Sequence, residues 1–166
     1  MKSYKKFVDA VNSASFWVAI ATTSVMSVMV VLQVFFRYVL KTSLSFSEEL
    51  ARYLFVWSTF LGSAIAFSKR AQVSIEIIVA KLPTKTKKGA IVVTNFFSAV
   101  FFVLMIVYGI QMIFRTMSQT SPALGISMSY VYAAVPIAGL VMLINGVYNG
   151  YEEFKNPGII KSEGVE

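Results

Sequence analysis

Two acids and an arginine, Glu48, Glu49 and Arg52, head an apolar run in the stretch SFSEELARYLFVW at residues 45–57. Beside a lipid bilayer, such side chains relay a proton or hold a cation, steady a helix end, or dock the helix on another protein. The three chemistries want different depths. A proton or cation exchanger needs its carboxylate well inside a span, where charge is costly and therefore kept only for use. Glu48 and Glu49 sit near an interface instead, and the other apolar runs of the chain carry no acid. Glu76 and Glu152 fall in interfacial or tail positions. An ion path owned by this chain alone is therefore not expected.

Enzyme chemistry is excluded more broadly. The chain has no histidine and no cysteine, which removes imidazole catalysis, thiolate metal sites and disulfides. No phosphate-cradling glycine loop and no Ser-His-Asp set is present. A metal would have only Glu48, Glu49 and Glu76 to bind to. The expectation is no enzyme, no cofactor and no metal.

The local reading of the charged head is a helix start. Ser45 or Ser47 could cap it, and Ser45 with Glu48 has the S-x-x-E spacing of a capping box. Glu48 and Glu49 then lie where the helix dipole favours negative charge. Glu48 and Arg52 form an i,i+4 pair in the favourable order. The pattern extends further, because at about 100° per residue Glu48, Arg52, Phe55, Thr59, Gly62 and Ala66 fall within about 40° of one line. The stripe is polar at one end and small at the other. Such a stripe should meet another helix, from this chain or from a partner.

The elements that carry these residues follow from composition. The 166 residues are 57% hydrophobic and only 14% charged, against about 25% charged in a soluble domain. One small core cannot hide that much apolar surface. Four stretches reach the roughly 20 apolar residues that a membrane span needs, at about 14–36, 48–67, 89–114 and 127–148. The first is too long for a signal peptide and no small-residue cleavage site follows it. Pro136 lies in the fourth and should kink or loosen it. Between spans two and three, AQVSIEIIVAKLP is too short to cross and suits an amphipathic helix in the interface, at about 71–82. The expected fold is an all-α membrane protein: one domain over 1–151 with four transmembrane helices and this short interfacial helix, then a polar tail over 152–166.

The net charge of +7 points to a membrane surface rather than to nucleic acid, because the basic residues cluster at the ends of the apolar runs. Eleven lysines and arginines lie in the N-terminus, the 68–88 link and the C-terminus, against four on the opposite side (Arg37, Lys41, Arg52 and Arg115). Both termini are thus expected in the cytoplasm, with the Glu48 end periplasmic. Gln33, Asn95, Ser98, Gln111 and Asn145 read as interhelical hydrogen-bonding groups, and Trp17 and Trp57 as packing or interface aromatics.

The run QVFFRYVLKTSLSFSEELARYLFVWSTFLGSAIAFSKRAQVSIEIIV resembles the small, Q-type (DctQ-like) membrane subunit of tripartite ATP-independent periplasmic (TRAP) transporters. Arg37, Glu48, Glu49, Arg52, Trp57, Gly62, Ala64, Lys69, Arg70 and the Val73–Ile75–Glu76 region carry the likeness. SPALGISMSYVYAAVPIAG resembles the family's last span, with Pro136 in its proline position. Gln72 departs from the histidine that many members carry. The resemblance implies a bacterial inner-membrane subunit, one copy per large M-type permease subunit, beside a periplasmic substrate-binding protein. The large subunit would hold the solute and sodium sites, and this chain would enlarge its static scaffold. Carboxylate-bearing solutes are implied, sialic acid foremost, with dicarboxylates and other sugar acids as relatives' substrates. Arg37, Glu48, Glu49 and Arg52 are then the expected contacts with the partner or with lipid headgroups, followed by Trp57, Thr59 and Gly62. A stand-alone four-helix exporter or channel, or a membrane assembly factor, is the competing reading.

Overall fold

The computed structural model describes residues 2–42, 44–69 and 84–155. The expected interfacial helix at about 71–82 and the tail beyond Lys155 lie outside the described residues. Among the described residues five helices follow one another: α1 Lys2–Tyr38, α2 Ser45–Ser68, α3 Thr84–Thr116, α4 Ser129–Tyr132 and α5 Ala134–Lys155. Helix is what such a sequence must form, because lipid offers nothing to an unpaired backbone N–H or C=O. Four of the described segments are long and apolar enough to cross: Tyr4–Tyr38, Ser45–Ser68, Val92–Thr116 and Ser129–Tyr151. Their number is the expected four.

α1 is longer than expected. Its 37 residues at about 1.5 Å each exceed the roughly 30 Å hydrocarbon thickness. The excess is the N-terminal turns carrying Lys5, Lys6 and Asp9. At the other end Lys41, with a φ of 52°, turns the chain towards α2.

The fourth span is two helices, and Pro136 is the reason. The helix breaks at Ala133, one turn before the proline. A proline lacks the N–H that would bond the carbonyl four residues back, and its ring crowds that carbonyl. Here that is Tyr132, the last residue of α4. Pro136 itself sits in the first turn of α5, where a missing N–H costs no helix bond.

α5 is the hub. It packs on α3, α2 and the N-terminal half of α1, while α1 lies chiefly along α2. The core joins Ala64 of α2, Phe102 of α3 and Ala138, Val141 and Met142 of α5. Phe67 meets Phe102 edge-on, with ring centroids 4.9 Å apart. α3 comes so close to α5 that a Cβ on Gly109 would stand 2.6 Å from Pro136 Cδ. Burial is uneven: 44% of the most apolar window of the fourth span is buried, against none of that of α1.

One polar lock ties α1 to the hub. The side-chain amides of Asn12 and Asn145 exchange two hydrogen bonds of 2.8 Å, and Asn145 also donates to the Val141 carbonyl. Asn145 is thus the interhelical group its type suggested. An Asn145→Leu change strands the Asn12 amide and should lower stability by about 1 kcal/mol. Thermal unfolding in detergent checks this, and the Asn12→Leu/Asn145→Leu double variant should regain most of the loss. A double variant as unstable as the sum of both singles would refute the lock.

Candidate functional site

The charged head of α2 does not begin as a capping box. Leu44 is the N-cap and no side chain caps the helix. Ser45 is already helical, and the Ser47 hydroxyl turns back to donate to the Leu44 carbonyl at 2.8 Å. The predicted cap is therefore corrected: the serines lie one to three residues too far into the helix to accept from its free N–H groups. The Glu48–Arg52 pair does form, at 3.2 Å, with both side chains more than half exposed. A pair so exposed adds little stability.

Glu48 and Glu49 are adjacent in sequence but turn to different surroundings. One Glu49 oxygen accepts the backbone N–H groups of Ala123, at 2.8 Å, and Leu124, at 3.0 Å. The other accepts the Tyr53 hydroxyl. Tyr53 also touches the Met128 sulfur at 3.3 Å. One turn further, the Trp57 indole N–H donates to the Tyr130 carbonyl at 3.1 Å. Glu49, Tyr53 and Trp57 follow i, i+4, i+8 spacing, so they share one side of α2. Together they hold the whole connection between α3 and α5.

That connection is a small hairpin. The Met128 N–H bonds to the Gln119 carbonyl at 2.9 Å and the Ser121 N–H to the Ile126 carbonyl at 2.8 Å. Thr120 and Ser127 bridge between them. Gly125 closes the tip with a φ of 66°, a conformation that other residues adopt at a cost. The fold of the tip leaves the N–H groups of Ala123 and Leu124 free to point at Glu49. Consecutive N–H groups of this kind form a shallow anion-binding concavity, here filled by the chain's own carboxylate. Ser121 is buried beneath the tip, with its hydroxyl beside the Glu49 carboxylate and the Tyr53 hydroxyl. Trp57 takes the Tyr130 carbonyl of the short helix α4, which ties that helix to α2.

The outward stripe is a separate surface. Glu48, Arg52, Phe55, Thr59, Gly62 and Ala66 are all exposed. No helix among the described residues covers them. Arg37 stands exposed at the end of α1, on the same end of the bundle. Of the residues singled out in the sequence, Glu49 and Trp57 are engaged by the hairpin, while Arg37, Glu48, Arg52, Thr59 and Gly62 face outwards. Sequence reasoning passed over Tyr53, Ser121 and Met128. The signal for Tyr53 was its spacing from Glu49 and Trp57.

A helix face left uncovered within the chain is open to lipid or to another protein. Residues 26–156 match the family described as "Tripartite ATP-independent periplasmic transporters, DctQ component". The chain belongs to the DctQ family. It is 30% identical over 142 residues to a TRAP transporter small permease protein of Haemophilus influenzae, covering 86% of each chain. It is 32% identical over 107 residues to the sialic acid TRAP transporter small permease protein SiaQ of Vibrio cholerae, covering 64% of this chain and 62% of that one. It is 30% identical over 128 residues to the sialic acid TRAP transporter permease protein SiaT of Haemophilus influenzae, covering 76% of this chain and 21% of the relative. A DctQ-like region can thus form about one fifth of a longer permease polypeptide. As a DctQ-family protein the chain is a multi-pass membrane component of a TRAP transporter.

Proposed function

We propose that this chain is the small scaffold subunit of a sodium-coupled, binding-protein-dependent TRAP transporter, and that it packs on a large M-type permease subunit without carrying solute itself. The uncovered α2 stripe is the observation that carries this reading. Its charges sit at one end and, past Phe55, the small residues Thr59, Gly62 and Ala66 at the other, a composition that suits a helix surface meeting protein inside a bilayer. The SiaT likeness supports the identity of the partner, since there the corresponding region is continuous with a permease. Arg37, Glu48, Arg52, Thr59 and Gly62 are the proposed contacts with the partner or with headgroups. Glu49 and Trp57 act at one remove, by fixing the hairpin beside them.

The charge distribution supports an inner-membrane orientation with both termini cytoplasmic. The hairpin and the Glu48 end then face the periplasm, where a substrate-binding protein would dock. One domain over 1–151 with a polar tail over 152–166 remains the proposed organisation. Sialic acid is the favoured solute, because two of the relatives are named for it; a dicarboxylate or another sugar acid is the alternative within the same class.

A Glu48→Ala/Arg52→Ala variant should recover several-fold less of the large subunit on co-purification and lose uptake in parallel, while its own stability changes little. The chain alone in liposomes should give no sodium-driven flux. Flux from the chain alone would instead favour the stand-alone exporter or channel.

A further inference from the structure

Tyr53 has one hydroxyl proton and two acceptors within reach. One is the Glu49 carboxylate and the other is the Met128 sulfur, at 3.3 Å. A carboxylate is a far stronger acceptor than a thioether, so the proton goes to Glu49. The sulfur is left touching a hydroxyl whose proton it does not receive. Tyr53 is buried, so its hydroxyl draws its partners from this cluster. Met128 also stands at a joint of the backbone. Its N–H closes the hairpin on the Gln119 carbonyl, and its own carbonyl accepts the N–H groups of Val131, at 3.0 Å, and Tyr132, at 3.2 Å, where α4 begins. The residue is half-buried, whereas Met142 is sealed in the core.

A weak acceptor held against a committed donor is sensitive to one chemical change. Oxidation turns a thioether into a sulfoxide, which is polar and carries a strong acceptor oxygen. With hydrogen peroxide the sulfur gives an electron pair to one peroxide oxygen and the O–O bond breaks. A sulfur–oxygen bond forms, the proton on the transferred oxygen passes to the leaving hydroxide, and water departs. The sulfur is oxidised by two electrons and the peroxide is reduced by two. At Met128 the new oxygen has two courses. Facing Tyr53, it competes with Glu49 for the phenol proton. Facing away, it is a half-buried polar group that needs a donor of its own. Either course strains the clasp, because Glu49 leans on Tyr53 with one oxygen while the other holds the hairpin tip.

We propose that Met128 is a reversible oxidation site, and that its sulfoxide draws the Tyr53 hydroxyl from Glu49 and loosens the hairpin between α3 and α5. Peroxides are the class of oxidant that it takes, and methionine sulfoxide reductases restore it. The site does not depend on the scaffold reading, since every group in it belongs to this chain. Met117 is the internal reference. It is more exposed, at 56%, and it meets the hairpin through its backbone carbonyl, which accepts the Ser127 hydroxyl. Its sulfur should oxidise readily without effect on the clasp.

The test treats the full chain in detergent with hydrogen peroxide. Peptide mass spectrometry follows oxidation at Met117 and Met128, and amide exchange is read over the hairpin before and after. The Ala123 and Leu124 amides should exchange about fivefold faster once Met128 is oxidised, with the amides of α3 and α5 away from the hairpin unchanged. A methionine sulfoxide reductase with its thiol reductant should restore the original rate. Met128→Leu should make hairpin exchange indifferent to peroxide while Met117 still oxidises. Met128→Gln, which puts a permanent acceptor there, should exchange fast without any oxidant. Reversal by the reductase needs no variant, so the proposal stays open to refutation even where Met128→Leu folds poorly. Three results would overturn it. Met128 could stay reduced while Met117 oxidises to completion. It could oxidise with no change in hairpin exchange. Or peroxide could speed exchange equally in Met128→Leu and in the unaltered chain.

Discussion

Placing any side chain at Gly109 should damage this protein more than almost any other single change in its apolar body. The Cβ of Gly109→Ala would lie 2.6 Å from Pro136 Cδ, 3.0 Å from Pro136 N and 3.1 Å from Pro136 Cβ. None of those atoms can swing aside, because they belong to a closed ring and to backbone. The helices themselves must separate, which in a packed interior costs about 1–3 kcal/mol. The cost reaches further than the contact. Pro136 sets the break at Ala133, and α5 is the hub on which α1, α2 and α3 all lean. Gly109→Ala should therefore lower the detergent melting temperature by several degrees, and Gly109→Leu should fail to accumulate as a folded chain. Gly62→Ala is the matched control, since its Cβ enters open space and alanine favours helix over glycine by about 1 kcal/mol. If Gly109→Ala melts no lower than Gly62→Ala, α3 and α5 do not meet at the proline.

Removing the Glu49 carboxylate should free the hairpin while sparing the helices. Glu49 holds two backbone N–H groups and the Tyr53 hydroxyl, and hydrogen bonds to a charged acceptor are stronger than neutral ones. In Glu49→Ala, the amides of Ala123 and Leu124 should exchange with solvent roughly ten times faster or more, because each loses its one charged acceptor. Amides of α3 and α5 away from the hairpin should not change. Glu49→Gln keeps one neutral oxygen that can accept both N–H groups but loses the charge and the acceptor of the Tyr53 hydroxyl, and should fall between. Glu48→Ala removes the neighbouring acid and should leave exchange in the hairpin as it was. That contrast tests the division of labour between the two acids: equal effects from Glu48→Ala and Glu49→Ala would dissolve it. Trp57→Phe should loosen the hairpin at its other end, at the Tyr130 carbonyl.

The two experiments probe different depths of one arrangement. Gly109 and Pro136 set how the hub begins, and Glu49 with Trp57 fastens what lies between α3 and that hub. If the scaffold reading holds, both should reduce assembly with the large subunit, because the outward stripe belongs to the same helix as the clasp. Glu48→Ala/Arg52→Ala should reduce assembly without loosening the hairpin, which separates contact from support.

Much of this was written in the residues themselves. Four spans and an all-helical fold follow from the length and composition of the apolar runs, since runs of about 20 residues satisfy their backbone hydrogen bonds in lipid as helices, while barrel strands are about half as long. The Glu48–Arg52 pair follows from helix geometry, which brings i and i+4 together wherever the helix lies. The interruption near Pro136 follows from the missing N–H. The N-cap was misjudged because a serine two positions either way is equally plausible in sequence, and only backbone angles choose. What the tertiary structure alone decided is which way α2 faces. Adjacent residues on a helix point about 100° apart, so Glu48 and Glu49 cannot share a neighbour. Nothing local says which of them turns inwards. That choice came from a hairpin 74 residues away, whose tip turns two N–H groups towards Glu49, and from the α5 hub that holds α2 in this rotation. A helix's turn about its own axis is fixed by what packs against it, and those contacts join parts of the chain far apart in sequence.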